Sequence, residues 1–372
     1  MKEFRIVPRI IQCSSMKEFL KEFKPGSGDL VFTSRTVYET YLVDQTEGAH
    51  VIFSKDYGNG EPSDDMVESI YHDIKDGNYE RIIAIGGGTI LDVAKLLALK
   101  QYTPVLDLFE GRMEAVRNKV LILVPSSCGT GSEVTNISVL ELISRRTKMG
   151  LAAEALYGDY AVLIPELLTS LPMRYFASSS IDALVHAMEA YTSPRANSFT
   201  RSYSMQAIKL ILTGFRRMEL HGKDARFPYL GNFLTASTYA GIAFGNAGCA
   251  AVHALSYPLS GAYHVPHGEA NYAFFIKVFR TYQKLKPEGR LLSELNQYLG
   301  KLLGCYPSEV YDALEKLLET ILPLRALHEY GMRRADIDDF TETVMLKQTR
   351  LMKNNYTVLE WETVKGIYQE LF

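Results

Sequence analysis

Up to about residue 165, short unbroken apolar runs (DLVFT, HVIF, RIIAI, KVLILV and YAVLI) alternate with segments whose apolar positions recur three and four residues apart. Unbroken β-branched runs predict strands covered on both faces, because a strand with one wet face would alternate apolar and polar residues. Strands that alternate with helices predict a parallel sheet. Beyond Pro165 and Pro172 the β-rich runs stop, and segments such as SIDALVHAMEAYT, RSYSMQAIKLILTGFRRM and EVYDALEKLLETIL keep the helical spacing. The pattern predicts an α/β domain over residues 1–170 and an all-helical domain over 171–372, with no internal repeat and no low-complexity linker.

A chain of 372 residues suits two domains. Lys and Arg total 40 against 43 Asp and Glu, with no long block of either sign. That balance argues against a nucleic-acid partner and favours a small-molecule one. The opening MKEFRIVPRI has neither the apolar core nor the cleavage site of a secretory signal, and no stretch approaches the ~20 apolar residues of a membrane span. A cytoplasmic location without membrane partners is the expectation. Cys13, Cys128, Cys249 and Cys305 are far apart and form no C-x-x-C pair, so any metal must use other ligands.

Two loops carry candidate phosphate chemistry. In RIIAIGGGTILDVAKLLAL a buried strand runs into a helix through Gly86, Gly87 and Gly88, a turn that lets backbone N–H groups approach an anion at a helix N-terminus. Its spacing differs from G-x-G-x-x-G, and a tight turn without a ligand is the plain alternative. Asp92, expected in the first helical turn, suits a capping role as well as a ligand-positioning one. The second loop, VPSSCGTGSEVTN, also follows a strand, and its hydroxyls and glycines suit a pyrophosphate or a nicotinamide ribose. Two such loops at strand ends fit a crevice at the carboxyl edge of a parallel sheet.

Asp182 and His186 lie four apart in a helical pattern, hence on one face, one turn apart. His253 follows a Gly- and Ala-rich segment, and His267 follows Pro266 at the start of another predicted helix. One carboxylate and three imidazoles suit Fe²⁺ or Zn²⁺ better than Mg²⁺ or Ca²⁺. Any one of these histidines alone would read as a hydrogen-bonded core residue or an exposed one.

At these residues the chain resembles the iron-containing alcohol dehydrogenase family. The family's loops and ligand motif occur in order: Gly86, Gly87, Gly88 and Thr89 with Asp92; Ser126, Ser127, Thr130 and Ser132 up to Glu133; Asp182 with His186; then His253 and His267. The resemblance spans nearly the whole chain. It implies a dinucleotide-binding α/β domain, an all-α metal-binding and catalytic domain in the architecture shared with dehydroquinate synthases, NAD as coenzyme, Fe²⁺ with Zn²⁺ as alternative, and a homodimer or larger homo-oligomer. It also implies that Lys148 lies near the nicotinamide ribose, a surface lysine of the run RRTK being the alternative, and that Phe244 and Asn246 lie near the pocket.

Within the family, stretches such as YGNGEPSDDM, LDLFEG, CGTGSEVTN, GIAFGNAG and VHALSYPLSGAYHVPHGEANY are most similar to members that interconvert 4-hydroxybutyrate and succinate semialdehyde. Other activities compatible with the architecture are a broad primary-alcohol or diol dehydrogenase and a dehydroquinate synthase-like cyclase, and a non-catalytic nucleotide-binding protein is a further reading. The chain departs from the family twice. Tyr257 stands where many members have histidine, and His264 precedes His267 by three residues, so Tyr257 or His264 is expected to relay a proton or bind a substrate carboxylate. At the end of the strand in VFTSRTV, Ser34 and Arg35 replace an aspartate often found in NAD-preferring members, which leaves NADP open beside NAD.

Overall fold

The computed structural model describes residues 3–58, 60–145 and 147–372; Asn59 of the YGNGEPSDDM stretch and Arg146 of the RRTK run lie outside them. The chain divides into two compact units, one of Ile6–Leu171 and one of Pro172–Phe372 together with the N-terminal residues up to Arg5.

The first unit runs β1 (Arg9–Gln12), α1 (Met16–Phe23), β2 (Asp29–Thr33), α2 (Arg35–Val37), β3 (His50–Phe53), α3 (Asp64–Ile74), β4 (Arg81–Gly86), α4 (Gly88–Leu97), α5 (Val105–Phe109), β5 (Val120–Pro125), β6 (Ile137–Leu142), β7 (Thr147–Ala152) and β8 (Tyr160–Leu163). Six strands pair in the order β1-β8-β5-β4-β2-β3, all parallel. The strand pleat explains the unbroken apolar runs. Leu30, Phe32, Ile82, Ala84, Leu121 and Leu123 enter one core with residues of α3, α4 and α5, while Val31, Ile83, Ile85, Ile122 and Val124 enter another with Met16, Phe19 and Phe23 of α1.

The five runs read as strands are β2, β3, β4, β5 and β8. The edge strand β1 and the antiparallel hairpin β6–β7 are strands the sequence reading did not include. Both lack the decisive signal. In β1 only Ile11 is more than marginally covered, and β6 alternates half-buried with buried residues, as a strand with one covered face does.

The second unit is helical: α6 (Met173–Thr192), α7 (Ser198–His221), α8 (Leu230–Ala247), α9 (Ala251–Tyr263), α10 (His267–Leu285), α11 (Arg290–Leu303), α12 (Val310–Ile321), α13 (Asp336–Lys347), α14 (Thr349–Met352) and α15 (Trp361–Leu371). Nearly every side chain of α6 from Phe176 to Thr192 is buried, which makes it the central helix and explains its weak amphipathicity. The start of α10 is pressed onto it. A Cβ at Gly268 would lie 2.5 Å from the Ser178 carbonyl oxygen, so only glycine permits this approach. Arg174 of α6 then clamps Glu269 of α10 through paired bonds of 2.5 and 2.8 Å. Phe4 joins this unit by stacking on Phe199 and Tyr203. Among the described residues no helix is long and apolar enough to cross a membrane.

Candidate functional site

In the first unit, both polar loops leave the carboxyl ends of adjacent strands, with Gly86 of β4 in register with Pro125 of β5. They touch. A Cβ at Gly88 would lie 2.8 Å from Thr130 Cγ2, and one at Gly87 would lie 3.7 Å from Ser127 Oγ. Gly88 is therefore set by close approach of the second loop. Gly87 caps α4 with extended backbone, and the Ser126 N–H donates to the Gly86 carbonyl at 2.9 Å. Thr89 Oγ1 donates to the Gly60 carbonyl at 3.3 Å.

Asp92 lies one residue past the first turn of α4, not within it, and works inside the protein. Its carboxylate accepts from Ser132 Oγ at 2.5 Å and from the Val139 N–H at 3.0 Å. Beside it Lys95, fully buried, donates to Ser132 Oγ (2.7 Å), Thr135 Oγ1 (3.2 Å) and the Ile137 carbonyl (2.6 Å). Burial pushes the Lys95 pKa down, and the Asp92 charge and hydrogen bond oppose that. Sequence reasoning passed over Lys95. Its position three residues after Asp92 in DVAK is the only local signal, since its partners are about 40 residues away in the chain.

Lys148 sits on β7 opposite Glu141, almost buried, with its ammonium 3.7 Å from Glu61. Arg35 makes a two-pronged contact with Asp56 at 2.8 and 2.9 Å and covers the Phe53 ring at 4.4 Å.

In the second unit, Asp182 and His186 of α6, His253 of α9 and His267 at the first position of α10 bring one ligand atom each within 4.8 Å of one another. The i, i+4 pair on α6 is as the spacing predicts. Asp182, His186 and His253 are buried, whereas the His267 side chain is 28% exposed, so the group is open on the His267 side. Burial alone would raise the Asp182 pKa, but the three imidazoles and the Asn271 amide outweigh it and hold it below the ordinary carboxylate range.

Neighbouring groups orient these ligands. Glu189, one turn beyond His186 and fully buried, accepts from the Ala250 and Val252 N–H groups at 2.9 and 2.6 Å and meets His253 Nδ1 at 2.7 Å. A proton on Nδ1 leaves the Nε2 lone pair of His253 facing His186 Nε2, 2.9 Å away. Two nitrogens aimed at one point beside a carboxylate form a donor set that fits a divalent ion such as Fe²⁺ or Zn²⁺. Asn271, held by Ser256 at 2.5 Å, donates to Asp182 Oδ1 at 2.7 Å and lies 3.1 Å from His267 Nε2. Sequence reasoning missed both Glu189 and Asn271. Glu189 is seven residues from Asp182, and Asn271 is four from His267, so each shares a helix face with a ligand.

Phe244 stacks on His186 with ring centroids 4.2 Å apart. Asn246 exchanges bonds of 2.8 and 2.9 Å with the Arg5 backbone. The Tyr257 ring lies beside His267, centroids 6.1 Å apart, and burial raises its pKa, keeping a neutral hydroxyl. His264 is exposed, in left-handed conformation (φ 51°) at the end of α9, outside the four-ligand group. Cys249 adjoins Glu189 and His253, and burial raises its thiol pKa.

The chain is similar to known proteins along its whole length. Residues 8–165 match the model for iron-containing alcohol dehydrogenase, and residues 176–372 match that for the C-terminal part of the Fe-containing alcohol dehydrogenase family. The chain belongs to the iron-containing alcohol dehydrogenase family. It is 48% identical over 372 residues, all of both chains, to a 4-hydroxybutyrate dehydrogenase of Clostridium kluyveri. It is 33% identical over 309 residues to long-chain-alcohol dehydrogenase 1 of Geobacillus thermodenitrificans, covering 80% of this chain and 76% of that one. Among solved structures, sulfoacetaldehyde reductase from Bifidobacterium kashiwanohense in complex with NAD⁺ shares the fold, with a TM-score of 0.85 and 22% identity over 100% of this chain and 98% of that one. Membership in an alcohol dehydrogenase family sets aside the cyclase and the non-catalytic readings.

Proposed function

We propose that this chain is an NAD- and metal-dependent dehydrogenase that interconverts 4-hydroxybutyrate and succinate semialdehyde. The observation that carries the reading is the group of buried Asp182, His186 and His253 with the partly exposed His267, open on one side, in a chain 48% identical throughout to a 4-hydroxybutyrate dehydrogenase. When bound, the ion supplies Lewis acidity that lowers the pKa of the alcohol, and NAD accepts the hydride.

The remaining work falls to the protein. Glu189 keeps His253 oriented, and Asn271 does the same for Asp182 and His267. Phe244, stacked on His186, excludes water from one side. Tyr257, neutral beside His267, donates a hydrogen bond that orients the substrate, while the exposed His264 takes the lesser role of exchanging the released proton with solvent. Gly86, Gly87, Gly88, Thr89, Ser126, Ser127, Thr130 and Ser132 offer backbone and hydroxyl donors to the coenzyme phosphates, and Asp92 holds the two loops in register. Lys148 serves the nicotinamide ribose. The Arg35 charge is matched by Asp56, which supports NAD over NADP. Iron is the ion by family, with zinc fitting the same donors. Edge strand β1 supports assembly as a homodimer or larger homo-oligomer.

Catalytic efficiencies for 4-hydroxybutyrate, 1-butanol and 1,3-propanediol, with NAD and NADP and after replacement of the metal, test this reading. The highest value is expected for 4-hydroxybutyrate with NAD. Equal efficiency on 1-butanol would sink the carboxylate-specific reading in favour of a broad alcohol dehydrogenase.

A further inference from the structure

A hydroxy acid must be held at both ends, and the four metal ligands account only for its hydroxyl. Its carboxylate, two methylenes from the carbinol carbon, needs a cation on the open side of the ligand group. That side is marked by His267, partly exposed, and by Tyr257 next to it.

The arginines packed around the ends of α9 and α10 are mostly committed. Arg174 is clamped on Glu269, and Arg333 is paired with Asp336 at 2.7 Å, an aspartate that also takes the Tyr263 hydroxyl. Arg350 differs. It sits on the one-turn helix α14, which packs on α9, the helix that carries both His253 and Tyr257. Buried Leu351 anchors that turn, and Asn354 just beyond it donates to the Cys249 carbonyl at 3.0 Å, fixing the segment over the approach to α9. Arg350 itself is exposed, and among the described residues no carboxylate forms a salt bridge with it. The guanidinium and the Tyr257 hydroxyl lie within electrostatic reach of each other, which brings the Arg350 charge toward the group beside His267.

We propose that Arg350 receives the substrate carboxylate, with the Tyr257 hydroxyl beside it, while the carbinol end of the same molecule lies at the Asp182, His186, His253 and His267 group. This rests on the hydroxy-acid reading above and names the residue that makes it specific. A guanidinium offers a planar pair of N–H donors that matches a carboxylate, so the recognition is directional as well as electrostatic. Being exposed and unpaired, Arg350 can be exchanged without opening the core. It acts as a specificity residue and takes no part in hydride or proton transfer.

The test compares the metal-loaded wild-type enzyme with Arg350→Met and Arg350→Lys on 4-hydroxybutyrate and on 1-butanol, with thermal melting of each protein. Arg350→Met is expected to lose roughly 100-fold in kcat/KM on 4-hydroxybutyrate, chiefly through KM, and at least about tenfold less than that on 1-butanol. Arg350→Lys should recover part of the loss, since it keeps the charge without the fork. Equal losses on both substrates, or no loss on the acid, would overturn the assignment while leaving the hydroxy-acid reading intact. A wild-type enzyme that does not prefer the acid would overturn that reading first, and Arg350 with it.

Discussion

The two candidate regions solve different problems with similar-looking motifs. In the first unit the conspicuous polar side chains bind one another: Asp92, Ser132, Lys95 and Thr135 form a closed network, and Gly88 exists to admit Thr130. What remains to meet a coenzyme is largely backbone and hydroxyl. In the second unit the conspicuous side chains converge on one point, and the less conspicuous ones, Glu189 and Asn271, hold them there. The difference follows from the ligands. A dinucleotide spreads its charge over phosphates that many N–H groups can share, whereas a single ion demands a few lone pairs aimed within tenths of an ångström.

The sharpest way to break the comparison is to remove a ligand. Asp182→Ala should abolish stoichiometric metal, measured by elemental analysis, and lower kcat by about a thousandfold or more. Chelation of the wild-type protein should lower its melting temperature, with recovery on adding Fe²⁺. Substantial activity in metal-free protein would break the contrast at its root.

A smaller effect is expected one layer out. Glu189→Gln keeps the shape but weakens acceptance of the His253 Nδ1 proton, and should cost about 10–100-fold in metal affinity with little change in KM for NAD. Metal titration followed by coenzyme kinetics checks it. Unchanged metal affinity would show that Glu189 serves only the backbone of Ala250 and Val252.

The smallest effect belongs to the loops. Gly88→Ala puts a Cβ against Thr130 Cγ2 and should raise KM for NAD by about tenfold while leaving metal content intact. Thr130→Ser removes that methyl group, so the double variant Gly88→Ala/Thr130→Ser should regain most of the loss. Failure of this rescue would mean that the triplet glycine meets the coenzyme directly and not the neighbouring loop.

Legibility in the sequence tracked the range of each interaction. Five sheet strands, the helical second half and the Asp182–His186 pair could be read because each is an i, i+1 to i+4 pattern. Edge strand β1 could not, because its pairing with β8 joins Arg9 to Tyr160. Asp92 suited either capping or ligand positioning. The structure makes it a tie between the loops, since Ser132 and Val139 reach it from 40 or more residues away. Asn246 holds Arg5, a partner 241 residues distant that no local pattern announces.

By itself, then, the sequence determined the kinds of element, the order of the motifs and the chemical types in the donor set, because backbone periodicity and ligand identity are local properties. Only the tertiary structure decided that His267 leaves the group open on one side, that Glu189 and Asn271 orient it, and that Arg350 sits on α14 against the helix bearing Tyr257. Those facts depend on which helices pack and how closely. Gly268 against Ser178 shows why: a contact of 2.5 Å for one absent carbon decides where an entire helix, and its first ligand, can lie.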